Sequence, residues 1–128
     1  MDKTLDLKRK QFSKALASLK KSLEEEKNDL VRDSAIKRFE YSYELCWKTV
    51  KTFLSDRFGE DVFSPKECFR ALRKNKLISD EDTELLLRMT DDRNKIIHTY
   101  SESFSEELYE DIAQVYYQIM EKVYKILN

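Results

Sequence analysis

The stretch RDSAIKRFEYSYELCWKTVKTFL, residues 32–54, decides the fold, because it carries the most regular apolar pattern in the chain. Its large apolar side chains recur at spacings of three and four residues: Ile36, Phe39, Tyr43, Trp47, Val50 and Leu54. This period places them along one side of an α-helix, which predicts a long helix from Asp33 whose apolar seam faces a neighbouring helix. The sequence RFGED, residues 57–61, holds the only glycine and is expected to end that helix.

Helical patterns also fill the rest of the chain. A first helix of about twenty residues carries an apolar stripe at Phe12, Leu16, Leu19 and Leu23. The sequence SPKE, residues 64–67, forms a capping box with proline at the first helical position, and predicts a short helix of about eleven residues. Ser79 is expected to cap a fourth helix, with Asp82 in its first turn. The last helix is predicted to begin near Ser105, with a stripe at Leu108, Ile112, Val115, Ile119, Val123 and Ile126.

Composition supports the same fold class. The 128 residues include one glycine and one proline, and 38% are charged, which favours long helices joined by short polar connections. A hydrophobic share of 41% is enough for a packed core. We therefore predict a single all-α domain, residues 1–128, built as an up-and-down antiparallel four-helix bundle with one extra short helix.

Charge and cysteine usage narrow the classes of function. A net charge of -1 argues against a generally basic nucleic-acid coat. Cys46 and Cys68 show no CxxC spacing and the chain has one histidine, so we predict buried free thiols, no metal site and no cofactor. The sequence shows neither a signal peptide nor a membrane span, which predicts a cytoplasmic protein without a membrane partner.

One segment is locally basic. Residues 64–78 contain Glu67 as their only acid, against five bases: Lys66, Arg70, Arg73, Lys74 and Lys76. This patch suits contact with RNA or a protein partner, but a solvated helix face gives the same pattern.

The stretch DDRNKIIHTY, residues 91–100, holds the candidate chemistry, because Arg93, His98 and Tyr100 lie within eight residues. On a continued helix, Arg93 and Tyr100 share the apolar arc, whereas Asn94 and His98 lie on a polar face. Arg93 and His98 would then point about 140° apart. They could act together only if the helix ends near Ile97 or if a second copy of the chain supplies the opposing group.

Each of these side chains also has a structural explanation. Arg93 is expected to pair with Glu40, which projects into the apolar seam beside Trp47 and needs a partner there. His98 could interact with the negative end of the helix dipole, and the Tyr100 hydroxyl could reach water from the core. Alternatively, two protomers would supply two histidines and two arginines, which suffice for metal-free RNA cleavage.

The motif resembles a known pattern. RNKIIHTY, residues 93–100, is similar to the Arg-x4-His-x-Tyr motif of HEPN domains, the helical partners of minimal nucleotidyltransferases. Together with residues 32–54 and the sequence SPKECFRALRKNKLI, residues 64–78, it resembles the nucleotidyltransferase substrate-binding protein family. The similarity extends from Arg32 to the C-terminus and implies a HEPN-like bundle.

The resemblance also implies a function. Such proteins form homodimers and bind a cognate minimal nucleotidyltransferase. In the toxin–antitoxin branch the HEPN protein is a ribonuclease, and Arg93 and His98 of both protomers would line one cleft, with Asn94 as the polar residue after the arginine. The partner would silence the toxin by adding AMP to Tyr100. The alternative is a non-catalytic subunit that binds substrate or acts as an adaptor for the nucleotidyltransferase.

Overall fold

Helices form all the regular secondary structure in residues 3–99 and 101–128, which are the residues that the computed structural model describes. Six α-helices and one π-helical turn follow one another along the chain: α1 Lys3–Glu24, α2 Asp29–Phe58, α3 Pro65–Lys74, α4 Asp80–Lys95, α5 Glu102–Asp111, the π-turn Ile112–Tyr116, and α6 Tyr117–Ile126.

These elements build the predicted bundle. The four long members are α1, α2, α4 and the continuous segment of α5, the π-turn and α6, and α3 is the extra short helix. The predicted seam of α2 is buried at four of its positions, namely Phe39, Tyr43, Val50 and Leu54. The prediction of an all-α, up-and-down antiparallel four-helix bundle with one short helix is confirmed.

Capping residues set the helix ends. Ser64 and Ser79 cap α3 and α4 as predicted, accepting hydrogen bonds from the backbone N–H groups of Glu67 and Asp82. Gly59 ends α2 with a φ of 63°, a left-handed conformation that glycine adopts without strain.

Two helices begin earlier than predicted. Helix α2 begins at Asp29 rather than Asp33, because the Asn28 side chain accepts a hydrogen bond of 2.9 Å from the N–H of Val31. Helix α5 begins at Glu102 rather than near Ser105, because Ser101 accepts one of 3.1 Å from the N–H of Phe104. In both cases the capping side chain precedes the first apolar residue of the stripe by several positions.

A π-helical turn, Ile112–Tyr116, interrupts the last helix. Four positions of the predicted stripe are buried, namely Leu108, Ile112, Ile119 and Val123. The other two, Val115 and Ile126, are partly buried and pack against the core. Their neighbours Tyr116 and Leu127 are fully buried, which the stripe did not predict.

Both cysteines are free and buried, as predicted. Burial raises the pKa of the Cys46 thiol and raises that of Cys68 to about 12, so both remain protonated at neutral pH. Within residues 3–99 and 101–128, no helix combines the length and apolar character needed to cross a membrane.

Candidate functional site

The candidate site lies where α4 ends. The buried side of this helix carries Leu86, Met89 and Thr90 at helical spacing, and Arg93 continues the same line to the edge of the core. The Thr90 hydroxyl donates to the Leu86 carbonyl oxygen at 3.0 Å and accepts from the Tyr43 hydroxyl at 2.9 Å. These bonds fix the last turns of α4 against the middle of α2.

Helix α4 stops at Lys95, and a tighter turn follows. The N–H of Ile96 donates to the Arg93 carbonyl oxygen at 3.2 Å, and the N–H of His98 donates to that of Lys95 at 3.0 Å. Ile97, predicted to lie on the apolar arc, is 59% exposed. The angular separation of Arg93 and His98 on a continued helix therefore does not apply, because His98 belongs to this turn.

Arg93 lies on α4 with its side chain directed at α2. Its Nη2 atom donates to Glu44 Oε1 at 2.9 Å, and its guanidinium carbon lies 5.6 Å from the centre of the Tyr43 ring. The buried Nε has no hydrogen-bond partner among the described residues. The side chain remains 25% exposed, so part of it is accessible to solvent.

The predicted pairing of Arg93 with Glu40 is wrong, because Glu44, one helical turn further along α2, occupies that position. Glu40 is half-buried and instead borders a shallow groove of about 420 Å³ together with Ile96 and Thr99. The two acids share a face of α2, and the axial position of α4 relative to α2 decides which of them Arg93 reaches.

A second contact anchors the same turn of α4 and was not predicted. The Tyr116 hydroxyl donates a hydrogen bond to Asp92, and the Tyr116 ring stacks on Phe39 with 5.8 Å between ring centres. Burial, together with the hydrogen bond to Asp92, raises the pKa of Tyr116. Arg88 covers the other side of the ring at 5.5 Å and pairs with Asp111 at 2.9 Å. The sequence contains one signal of this contact. Asp92 precedes Arg93, and adjacent side chains on a helix face different directions, so Asp92 is expected to face a different neighbouring helix.

Asn94 and His98, two further predicted site residues, are exposed, and Thr99 is half-buried. Among the described residues, no hydrogen bond joins His98 to Arg93. Tyr100, the predicted acceptor of AMP, lies outside the described residues. The site thus combines a guanidinium group fixed by α2 with an accessible imidazole on the next turn.

An ionic cluster anchors the chain just after this turn. Arg32, whose side chain is 6% exposed, makes hydrogen bonds of 3.0 Å to each of three carboxylates, those of Asp33, Glu102 and Glu106. Hydrogen bonding to Glu102 and Glu106 raises the pKa of Arg32. The cluster joins the start of α5 to the start of α2.

The basic patch at residues 64–78 is largely paired within the chain. Lys66 contacts Asp91 at 2.7 Å, and Arg73 contacts Asp80 at 3.5 Å. Lys74 contacts Glu60 at 3.3 Å. These pairs favour a structural, solvated role for the patch over contact with RNA. Among the described residues, no three His, Cys, Asp or Glu side chains are grouped as a metal site requires.

Comparison with known proteins identifies relatives of the whole chain. A family model described as nucleotidyltransferase substrate binding protein like matches residues 7–128. The match is wider than the resemblance seen in the sequence, which began at Arg32. A crystal structure of a protein from Thermus thermophilus superposes with a TM-score of 0.86 at 36% identity, covering 91% of this chain and 98% of that one.

Two toxin–antitoxin structures share the fold at lower identity. A tri-AMPylated HEPN toxin of Shewanella oneidensis, in complex with an MNT antitoxin, matches with a TM-score of 0.78 at 17% identity, over 98% of this chain and 97% of that one. A toxin–antitoxin structure with AMP-PNP matches with a TM-score of 0.80 at 16% identity, over the full length of both chains. Comparison with curated protein sequences gave no significant match.

Proposed function

Because the chain belongs to the nucleotidyltransferase substrate-binding protein family and has the fold of a HEPN toxin, we propose that it is a HEPN-type, metal-independent ribonuclease toxin. A cognate minimal nucleotidyltransferase would neutralise it by AMPylation. The observation that carries the proposal is that two side chains of the Arg-x4-His-x-Tyr motif remain accessible. Arg93 is held by Glu44 and is partly exposed, and His98, five residues later, is exposed.

The two side chains supply the chemistry that RNA cleavage needs. His98 would accept the proton of a ribose 2′-hydroxyl, whose oxygen attacks the adjacent phosphorus atom and forms a 2′,3′-cyclic phosphate. The bond to the 5′-oxygen of the next nucleotide breaks, and a protonated histidine supplies that oxygen with its proton. Arg93 would stabilise the negative charge that develops on the phosphate oxygens, with Asn94 as a neighbouring hydrogen-bond donor.

This scheme requires a homodimer. One histidine does not serve as both base and acid in a single pass, so the second imidazole would come from the partner protomer. Sedimentation that shows only monomer at micromolar concentration would contradict the two-protomer site.

AMPylation would act on Tyr100. The phenol oxygen attacks the α-phosphorus atom of ATP, the bond to the bridging oxygen breaks, pyrophosphate leaves, and the phenol proton passes to solvent or a base. An AMP group two residues from His98 would add negative charge where the RNA phosphate must bind. The solved tri-AMPylated HEPN toxin with this fold supports AMPylation as the modification, and the motif tyrosine is our assignment of its site. The test is intact mass after incubation with the nucleotidyltransferase and ATP, with Tyr100→Phe as the control that should gain no AMP.

A second candidate function is a non-catalytic adaptor that presents substrate to the nucleotidyltransferase. The observation that favours it is the matching family model, whose description specifies substrate binding. The adaptor would still bind the nucleotidyltransferase but would not need His98 for its role.

Expression of the chain in bacteria separates the two functions. The ribonuclease predicts growth arrest that His98→Ala relieves, while Glu107→Ala, a change at an exposed residue of α5, remains toxic. Co-expression of the nucleotidyltransferase should restore growth. A harmless wild-type chain would contradict the ribonuclease, and co-purification of the His98→Ala variant with the partner would then support the adaptor.

A further inference from the structure

A second concave surface lies beside the C-terminal half of α2. It has a volume of about 510 Å³, and its walls come from three parts of the chain: Lys8 of α1, Trp47, Lys48 and Lys51 of α2, and Asp61 and Val62 of the connector after α2. We call this surface the lysine–tryptophan groove. It is separate from the groove that Glu40 borders.

The groove places ammonium groups beside aromatic rings. Lys48 Nζ lies 6.0 Å from the centre of the Trp47 ring, and Lys51 Nζ lies 5.6 Å from that of Phe63, which is 73% exposed. The indole N–H of Trp47 is buried and has no hydrogen-bond partner among the described residues, so the indole surface facing the groove is carbon. Basic side chains interleaved with aromatic carbon are typical of sites for single-stranded nucleic acid.

One carboxylate contacts both the candidate site and the groove. Glu44 contacts Arg93 through Oε1 at 2.9 Å and Lys48 through Oε2 at 3.3 Å. Since Glu44, Lys48 and Lys51 follow one another at spacings of four and three residues, they lie along one face of α2. A ligand phosphate at Arg93 is therefore separated from the first lysine of the groove by a single carboxylate.

Two acids close the far end of the groove. Asp56 follows Lys51 along α2, and Asp61 accepts a hydrogen bond of 3.3 Å from Ser55. Carboxylates repel phosphate, but they accept hydrogen bonds from ribose hydroxyls and base amino groups. The groove is thus basic at the end with Lys48 and Lys51 and acidic at the end with Asp56 and Asp61. This charge gradient suits a ligand that offers phosphates at one end and hydrogen-bond donors at the other.

We propose that the lysine–tryptophan groove binds single-stranded RNA, with phosphates against Lys48 and Lys51 and a base against Trp47. This inference rests on the proposed ribonuclease, for which the groove would extend the substrate site beyond the bond that is cleaved. A free nucleotide carries the same phosphate and base, but Glu44 contacts both Arg93 and Lys48, and this short separation favours a strand that spans both surfaces.

Trp47 is the only tryptophan, so intrinsic fluorescence reports on the groove directly. The experiment titrates the His98→Ala chain, which should not cleave, with a short oligouridine at low salt, and in a second arm with ATP. The oligouridine should change the fluorescence. Adding Lys48→Ala and Lys51→Ala should weaken its binding about tenfold and reduce its salt dependence. Adding Lys14→Ala and Lys20→Ala, which remove two lysines of α1 outside the groove, is the matched control and should leave binding unchanged.

Three results would overturn the inference. These are equal affinity for the two double-lysine variants, binding without a change in fluorescence, and a response to ATP with none to the oligouridine. Thermal melting of each variant shows that it is folded. Failure of the proposed ribonuclease can be distinguished from failure of this inference. The former would appear as intact RNA after incubation with the wild-type chain, whereas the binding assay does not depend on cleavage.

Discussion

Glu44 of α2 binds Arg93 of α4, with 2.9 Å between the carboxylate and the guanidinium group. The arginine of the motif is therefore oriented by a carboxylate from a neighbouring helix. One nitrogen makes this contact, and the 25% exposure of the side chain leaves part of the group accessible. The same carboxylate contacts Lys48 at 3.3 Å, so it joins the motif to the lysine–tryptophan groove.

The Glu44→Gln variant tests this relationship. Removal of the negative charge leaves the guanidinium group without its ionic partner, and we expect the free energy of unfolding to fall by about 1 kcal/mol. Glu40→Gln, one turn earlier on α2, is the matched control and should change it by less than about 0.5 kcal/mol. Denaturant unfolding followed by circular dichroism measures both, and a larger loss for Glu40→Gln would contradict the assignment.

Tyr116→Phe tests the second contact that holds the end of α4. The substitution keeps the buried ring but removes the hydroxyl that donates to Asp92, and should lower the free energy of unfolding by about 1 kcal/mol. Tyr117→Phe is the control, because that hydroxyl bonds Glu121 within one helix and is partly exposed. Thermal melting compares the two, and equal melting temperatures would show that the Asp92 contact contributes nothing.

The Arg32 cluster should make the stability of the fold depend on pH. Hydrogen bonds from Lys27 and Arg32 lower the pKa of Glu106 in the folded chain. A lowered folded pKa stabilises the fold above the unfolded pKa of about 4.3, and this stabilisation is lost as pH falls through the folded pKa. Glu106→Gln should therefore be less stable than wild type at neutral pH, with a difference that narrows on acidification.

Urea unfolding measured at several pH values checks this dependence. Glu107→Gln is the matched control, because Glu107 is the exposed next residue of α5. A difference between Glu106→Gln and wild type that stays constant from neutral pH to acid would contradict the role given to the cluster.

Because both thiols are buried, we expect thiol reagents to modify them slowly in the native chain. Burial raises the pKa of Cys46 and raises that of Cys68 to about 12, so little thiolate is present at pH 8. A thiol reagent such as Ellman's reagent should react with neither cysteine in the native chain, and with both once denaturant unfolds it. Rapid labelling of the native protein would show that these side chains are more accessible than the structure indicates.

The bundle could be predicted from the sequence because helices and their ends are determined by residues that are close together in the chain. The spacing from Ile36 to Leu54, the caps at Ser64 and Ser79, and the single glycine after α2 each depend on residues within a few positions of one another. The end of α4 could not be predicted in this way, because neither glycine nor proline follows Lys95 in the motif. The turn that exposes Ile97 and carries His98 is therefore not visible in the apolar pattern.

Contacts between helices were harder to predict. Glu40 and Glu44 are one turn apart on the same face of α2, so the choice of partner for Arg93 depends on how far α4 is displaced along α2. The π-turn at Ile112–Tyr116 leaves no mark in the spacing of apolar side chains. The position of Trp47 and two lysines beside a connector likewise follows only from the packing of α1 and α2.

Cleavage of RNA by the purified chain tests the central claim most directly. Labelled single-stranded RNA is incubated in EDTA with wild type, His98→Ala, Arg93→Ala and the control Glu107→Ala. We predict metal-independent cleavage to products ending in a 2′,3′-cyclic phosphate, slowed about a hundredfold or more by His98→Ala and Arg93→Ala and unchanged by the control. Intact RNA with the wild-type chain, or equal cleavage rates for wild type and His98→Ala, would contradict it.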